Sequence, residues 1–177
     1  MEKLKEIDKI ISAQFKKLTE LTDEFKLEVF QEFQLTDAKN IDFKKELNYP
    51  GIYFLEIKND KSSDNFQDWF KYFDGQWENL KYTPKLSTGR IKKHTELNEW
   101  IPLYIGKSRD VGKRIDGHLF LGLEKSTYAL KLMAREKLIN ETFRLKTLKV
   151  DVKNYDAIVP RIESQLRNTI YPIIGKQ

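Results

Sequence analysis

The chain has 177 residues, 40% of them hydrophobic and 33% charged, with a formal net charge of +5 and no cysteine. That length fits one ordinary domain with an extension, and the apolar share is enough for a real core. The lack of cysteine excludes disulfides, thiolate zinc sites and cysteine nucleophiles. No run approaches the roughly 20 apolar residues of a membrane span. The charged start MEKLKEIDKI holds no apolar signal core. A cytoplasmic setting without membrane contact is expected, and the basic excess leans toward a polyanionic partner without identifying one.

Residues 3 to about 34 carry neither Gly nor Pro. Leu4, Ile7, Ile11, Leu18, Leu21 and Phe25 recur at three- and four-residue steps, which predicts one or two amphipathic helices. Gln14 interrupts the seam. Such a segment either packs on the domain that follows or pairs with a second copy as a homodimer, and the pattern is too short to choose. Asn48-Tyr49-Pro50-Gly51 is a firm breaker, so the reading divides the chain into a helical extension, 1–45, and a second unit, 46–177. Ile52 to Lys58 reads as a strand, and Lys58 to Asn65 as a polar turn. In FQDWFKYFDGQWENLKY, Asp74-Gly75 reads as a hairpin turn between two aromatic arms. A polar loop follows to residue 99.

Trp100 to Ile105 is the second expected strand. Asp110 to about Phe120 is a helix capped by Ser108 or Asp110, and Ser126 to Leu138 a further helix. Thr142 to Val152 is the third strand. Its apolar residues change parity near Thr147-Leu148, which predicts a bulge there. The last helix carries Ile162, Leu166 and Ile170 on one side, with Pro160 near its start and Pro172 at its end. This order gives an α+β fold, a small sheet covered by helices.

Alternation along the strands sets Ile101, Leu103 and Ile105 on one face, with Pro102 and Tyr104 on the other. In the first strand Ile52 and Phe54 oppose Tyr53. Adjacent strands would therefore bring Tyr53 and Tyr104 together on the face away from the core. Arg114 and His118, four apart, share a helix face. Gly106-Lys107-Ser108 stands at a strand-to-helix turn, where backbone N–H groups attract anions. An Arg fork, a Lys point charge and a His proton carrier are a working set for phosphoryl chemistry. The final helix adds a carboxylate, Glu163, between Arg161 and Arg167.

With these residues in place the chain resembles the GIY-YIG nuclease superfamily over residues 50 to 175. The naming tripeptides stand as Gly51-Ile52-Tyr53 and Tyr104-Ile105-Gly106; Arg114, His118 and Glu163 match the family's helix positions. The resemblance implies a small three-stranded antiparallel sheet flanked by helices, with the N-terminal helical extension and an aromatic hairpin insert at about 59–99. It implies a DNA endonuclease of restriction, mobile-element or phage type that hydrolyses phosphodiester bonds. Mg2+ or Mn2+ would sit on Glu163, with Arg114 on a phosphate oxygen and Tyr53 as proton acceptor. Tyr104 and Lys107 would tune Tyr53. His118 would serve in the proton relay or hold phosphate. Lys107, Arg109, Lys113, Trp77 and Lys81 are candidate nucleic-acid contacts, since bases interleaved with aromatics can stack on nucleobases; the same aromatics could instead form the insert's own small core. Two departures stand out. The insert is longer than the family's usual hairpin, and Gly175 occupies a place where many members have Asn. The alternative reading is a nucleic-acid-binding module on the same fold that does not cut.

Overall fold

The computed structural model describes residues 1–60, 63–78 and 80–175. Of the polar turn expected between Lys58 and Asn65, Lys61 and Ser62 lie outside the described residues. Four antiparallel strands form one sheet: β1 (Glu28–Gln34), β2 (Gly51–Lys58), β3 (Trp100–Ser108) and β4 (Thr142–Lys149), in the order β1-β4-β2-β3. Both faces of this sheet are covered. On one, Tyr53, Leu55, Ile57, Leu103 and Leu145 pack against α5 (Val111–Phe120) and against α3 (Phe66–Gln76). On the other, Ile52, Phe54 and Ile105 meet Tyr155, Val159 and Ile162 of α6 (Tyr155–Ile170). Double coverage explains why β2 is buried from Gly51 through Ile57 and does not alternate cleanly.

Several expectations need correction. The helix expected to run to residue 34 ends earlier. After α1 (Glu2–Leu21) and a 3-10 turn to Glu24, Glu28–Gln34 is an edge strand paired with β4. The sheet therefore has four strands, not three, and draws on residues assigned to the extension. EVFQEFQ alternates poorly, and its one deeply buried residue, Phe33, sits between Phe43 and Phe143.

The expected aromatic hairpin is helix α3. Phe66, Trp69, Phe73 and Trp77 recur at helical steps, their rings follow one another at 5.2–5.9 Å, and Asn65 caps the helix by accepting from the Asp68 N–H at 3.0 Å. Asp74-Gly75 falls inside its last turn.

The helix expected from Ser126 to Leu138 is instead a loop with two short 3-10 turns. Side chains hold it in place of helix hydrogen bonds: Leu130 N–H donates to His118 Nδ1, and the buried Lys131 ammonium donates to the Leu123 carbonyl.

The bulge expected in β4 is absent. Phe143, Leu145 and Thr147 face α5, and Leu148 faces α6, so the parity change reflects two cores. A bulge does occur in β3. Leu55 pairs with Tyr104 and Glu56 with Pro102, which leaves Leu103 as the extra residue. Leu103 and Tyr104 consequently both serve the α5 face, while Ile105 turns to α6.

Two shorter helices complete the frame: α2 (Phe43–Glu46) and α4 (Thr88–Ile91). A Cβ on Gly112 would overlap the Phe43 carbonyl, so α2 and the start of α5 meet at backbone distance. The tail after α6 runs beside β3, with Ile173 and Ile174 donating to the Pro102 and Leu103 carbonyls at 2.9 Å. The segment around α4 clamps this tail: Ser87 N–H reaches Ile173 O, Arg90 Nε reaches Pro172 O, and His94 Nε2 donates to Tyr171 O. No helix among the described residues is long and apolar enough to cross a membrane.

Candidate active site

Tyr53 leaves β2 on the α5 face, and the β3 bulge turns Tyr104 to the same face, so the two rings stack with centroids 6.2 Å apart. The expected pairing of the phenols is present, but on a covered face. Tyr53 is 1% exposed. Gly106 lies directly opposite it in the ladder. A Cβ at that position would fall 2.5 Å from Tyr53 Cζ and closer still to the hydroxyl. Glycine is what lets the phenol lie across β3.

Two α5 residues meet this phenol. Asp110 caps the helix by accepting from Lys113 N–H at 2.9 Å, which sets the helix phase and turns Arg114 and His118 toward the sheet. His118 is fully buried and its Nε2 is 2.9 Å from Tyr53 Oη. Its tautomer follows from its other side. Leu130 N–H donates to Nδ1 at 3.0 Å, so Nδ1 carries no proton and Nε2 does. Nε2–H therefore donates to the Tyr53 oxygen. Arg114 Nε reaches the same oxygen at 3.4 Å, and its Nη2 donates to the Tyr128 carbonyl at 2.8 Å.

The electrostatics follow from burial. Desolvation, with the neighbouring Tyr104 second, pushes the Tyr53 phenol above its ordinary range. Burial likewise raises Tyr104, against the opposing pull of Arg114. Burial and then the Arg114 charge hold His118 well below the ordinary imidazole value, so the ring is neutral. Arg114 and His118 thus point two donors at one oxygen, an arrangement that favours its anionic form and works against desolvation.

Glu163 stands on the facing side, on α6, and is 8% exposed. Lys107 from β3 donates to Oε2 at 2.9 Å, and Arg167 one turn along α6 pairs with Oε1. Tyr104, Ile105, Glu163, Arg167 and Gly175 line a cavity of about 50 Å³ between the two halves of the site. That is room for water or phosphoryl oxygens and too little for a base. No group of three or more His, Cys, Asp or Glu placed to hold a metal ion occurs among the described residues. Glu163 is thus a minimal donor set, one hard carboxylate. A hard carboxylate is the donor type that Mg2+ or Mn2+ takes, and here both its oxygens are held by Lys107 and Arg167.

The sequence-derived residues therefore divide into groups. Tyr53, Tyr104, Arg114 and His118 converge on one side, and Glu163 with Lys107 on the other. Arg109 lies farther out, paired with Asp156 at 2.7 Å over the Tyr155 ring. Lys113 lies on the exposed side of α5. Lys81 reaches over its neighbour Tyr82. Trp77 is withdrawn as a nucleic-acid contact: it is 2% exposed and lies under Arg135, whose guanidinium carbon is 3.6 Å from the ring centroid. The insert's aromatics Phe66, Trp69, Phe73 and Trp77 form no small core of their own; they join the core on the α5 face of the sheet. Sequence reasoning missed the Leu130 N–H and Tyr128 carbonyl, because they come from a loop read as helix, and Arg90, whose bond to Pro172 spans 82 positions.

Comparison of the chain with protein-family models, with curated proteins and with solved structures gives no match. The functional reading rests on the chemistry of these side chains.

Proposed function

We propose that this chain is a GIY-YIG-type DNA endonuclease that hydrolyses phosphodiester bonds with Mg2+ or Mn2+, acting in the cytoplasm. A restriction, mobile-element or phage role fits this chemistry equally. The observation that carries the reading is the convergence of Tyr104, Arg114 and His118 on Tyr53, with Tyr104 and Glu163 lining one small cavity. Those are a phenol, a phosphate-binding fork and a hard carboxylate, drawn from β2, β3, α5 and α6.

In this reading Tyr53 accepts the proton of the attacking water, and its oxygen is prepared for negative charge by two donors, His118 Nε2–H and Arg114. Arg114 also binds a non-bridging phosphate oxygen. Lys107 adds positive charge beside the developing phosphorane. A divalent ion held by Glu163, when bound, supplies Lewis-acid stabilisation of the leaving oxygen. The homodimer suggested by the N-terminal seam belongs to the same proposal, since Leu4, Ile7 and Ile11 of α1 are exposed.

One observation favours the non-cleaving module: both oxygens of Glu163 are already ion-paired. Plasmid nicking in Mg2+, with and without EDTA, separates the two. The endonuclease converts supercoiled plasmid and stops in EDTA. Glu163→Gln should abolish cutting while retaining DNA binding in Ca2+. A Glu163→Gln protein that nicks at the wild-type rate in Mg2+ rules out the metal assignment.

A further inference from the structure

We infer that the groove on the outer side of α5 is a nucleotide subsite, receiving the nucleotide next to the scissile phosphate of a DNA strand; the inference rests on the nuclease reading above. The groove has a volume of about 400 Å³ and is lined by Lys44, Lys113, Arg114, Asp116, Gly117 and Leu121, among others. That volume is within the ordinary range for small-ligand clefts, about 300–1,000 Å³.

Two features identify the occupant. The first is proximity. Arg114 forms part of the groove wall and also donates to Tyr53 Oη, so one guanidinium borders both the groove and the site. The second is charge. Three cations, Lys44, Lys113 and Arg114, line the groove with two carboxylates, Asp110 and Asp116, an excess of one positive charge. Asp110 caps α5 through Lys113 N–H, and Asp116 pairs with Lys44 at 2.9 Å. The positive excess suits phosphates at the rim. Gly117 and Leu121 give a floor without charge, against which a sugar or base can lie.

Lys44 reaches this place because α2 is docked on the start of α5. Val111 and Gly112 donate to the Tyr49 and Leu47 carbonyls at 3.0 and 2.9 Å. Residues 43–49 therefore belong to the substrate surface.

DNA binding by the Glu163→Gln protein, which does not cut in this reading, tests the subsite across a salt series with a duplex oligonucleotide. Lys44→Ala should reduce the magnitude of the log–log salt slope by about 0.9, the signature of one lost phosphate contact. Gly117→Leu should fill the groove and weaken binding by about tenfold or more. Its Cβ meets only the flexible Leu121 side chain, at 3.4 Å and beyond. Leu is also the better helix former, so thermal stability should hold; if it falls, the Lys44→Ala slope alone decides. Unchanged slope and unchanged affinity in both variants would overturn the subsite. A wild type that never cuts, but whose groove variants bind more weakly as described, would refute the nuclease and keep the groove.

Discussion

Gly106→Ala tests whether the phenol's position is what the fold protects. The added Cβ would lie 2.5 Å from Tyr53 Cζ and 3.0 Å from Cε2, against an ordinary contact of 3.4 Å or more. The ring must withdraw by about 1 Å to relieve an overlap of that size. It has nowhere to go. Tyr104 and His118 flank it with centroids at 6.2 and 5.4 Å, and all its surroundings are packed. Overpacking of this kind costs about 1–3 kcal/mol. A displacement of about 1 Å at a reacting group costs on the order of 10²-fold in rate. Denaturant unfolding and single-turnover cleavage at saturating enzyme measure the two effects. Gly75→Ala is the control, because a Cβ there meets nothing within 4 Å. Wild-type stability and rate in Gly106→Ala would refute the packing argument. Lost stability with an unchanged rate would remove Tyr53 from the reacting centre.

Tyr53→Phe should lower the cleavage rate by about 10²–10⁴-fold, the range for a positioned proton acceptor, with DNA affinity little changed. It should also cost about 1–3 kcal/mol of stability, because the buried His118 Nε2–H loses its acceptor; a rate within a few-fold of wild type sinks the role. His118 gives a pH signature. Its folded value lies below the ordinary 6.5, so the unfolded chain binds the extra proton, and stability falls as pH drops below about 6.5 at up to about 1.4 kcal/mol per unit. Denaturant titrations at several pH values should show that slope in wild type, and a flatter one in His118→Gln; equal slopes contradict a neutral buried ring. Trp69→Ala, at a side chain 1% exposed, should destabilise by about 3–5 kcal/mol. A stable variant with altered site choice would return α3 to a DNA-reading role.

The strand cores, the α5 cap and the shared face of Arg114 and His118 were legible because each depends on short-range pattern, whereas their meeting with Tyr53, more than 60 positions away, followed only from the resemblance. Asp110 sits three residues before the N–H it caps, and the Arg–His pair needs only helical spacing. What was not legible depended on partners distant in the chain. β1 pairs with β4, more than 100 positions away, and its own alternation is poor, so only the partner identifies it as a strand. The Asp74-Gly75 dipeptide reads as a hairpin turn, yet the aromatic spacing of four rings over α3 outweighs one glycine near a helix end. The parity change in β4 looked like a bulge because one-sided burial was assumed. The two cores make both faces apolar, whereas the register shifts that do occur, at Leu103 in β3 and at Phe30 in β1, are silent in the sequence.

The roles of the phenol and the imidazole, interchangeable when only residue types are known, are separated by one backbone bond. Leu130 N–H occupies Nδ1, so the only remaining ring nitrogen already carries its proton and has no lone pair for a water. Accepting a proton would require breaking that buried bond and creating an imidazolium that burial and Arg114 both oppose. His118 is therefore suited to hold the Tyr53 oxygen and unsuited to replace it. Tyr53, by contrast, has two donors aimed at its oxygen, and they favour the phenolate that burial opposes. The same logic gives the motif glycines a purpose. Gly51 lets β4 pass at a distance that a Cβ would block at the Leu148 carbonyl, and Gly106 leaves room for the ring across β3. The two tripeptides act by packing: they fix where one phenol lies, and α5 brings the donors that fix what that phenol can do.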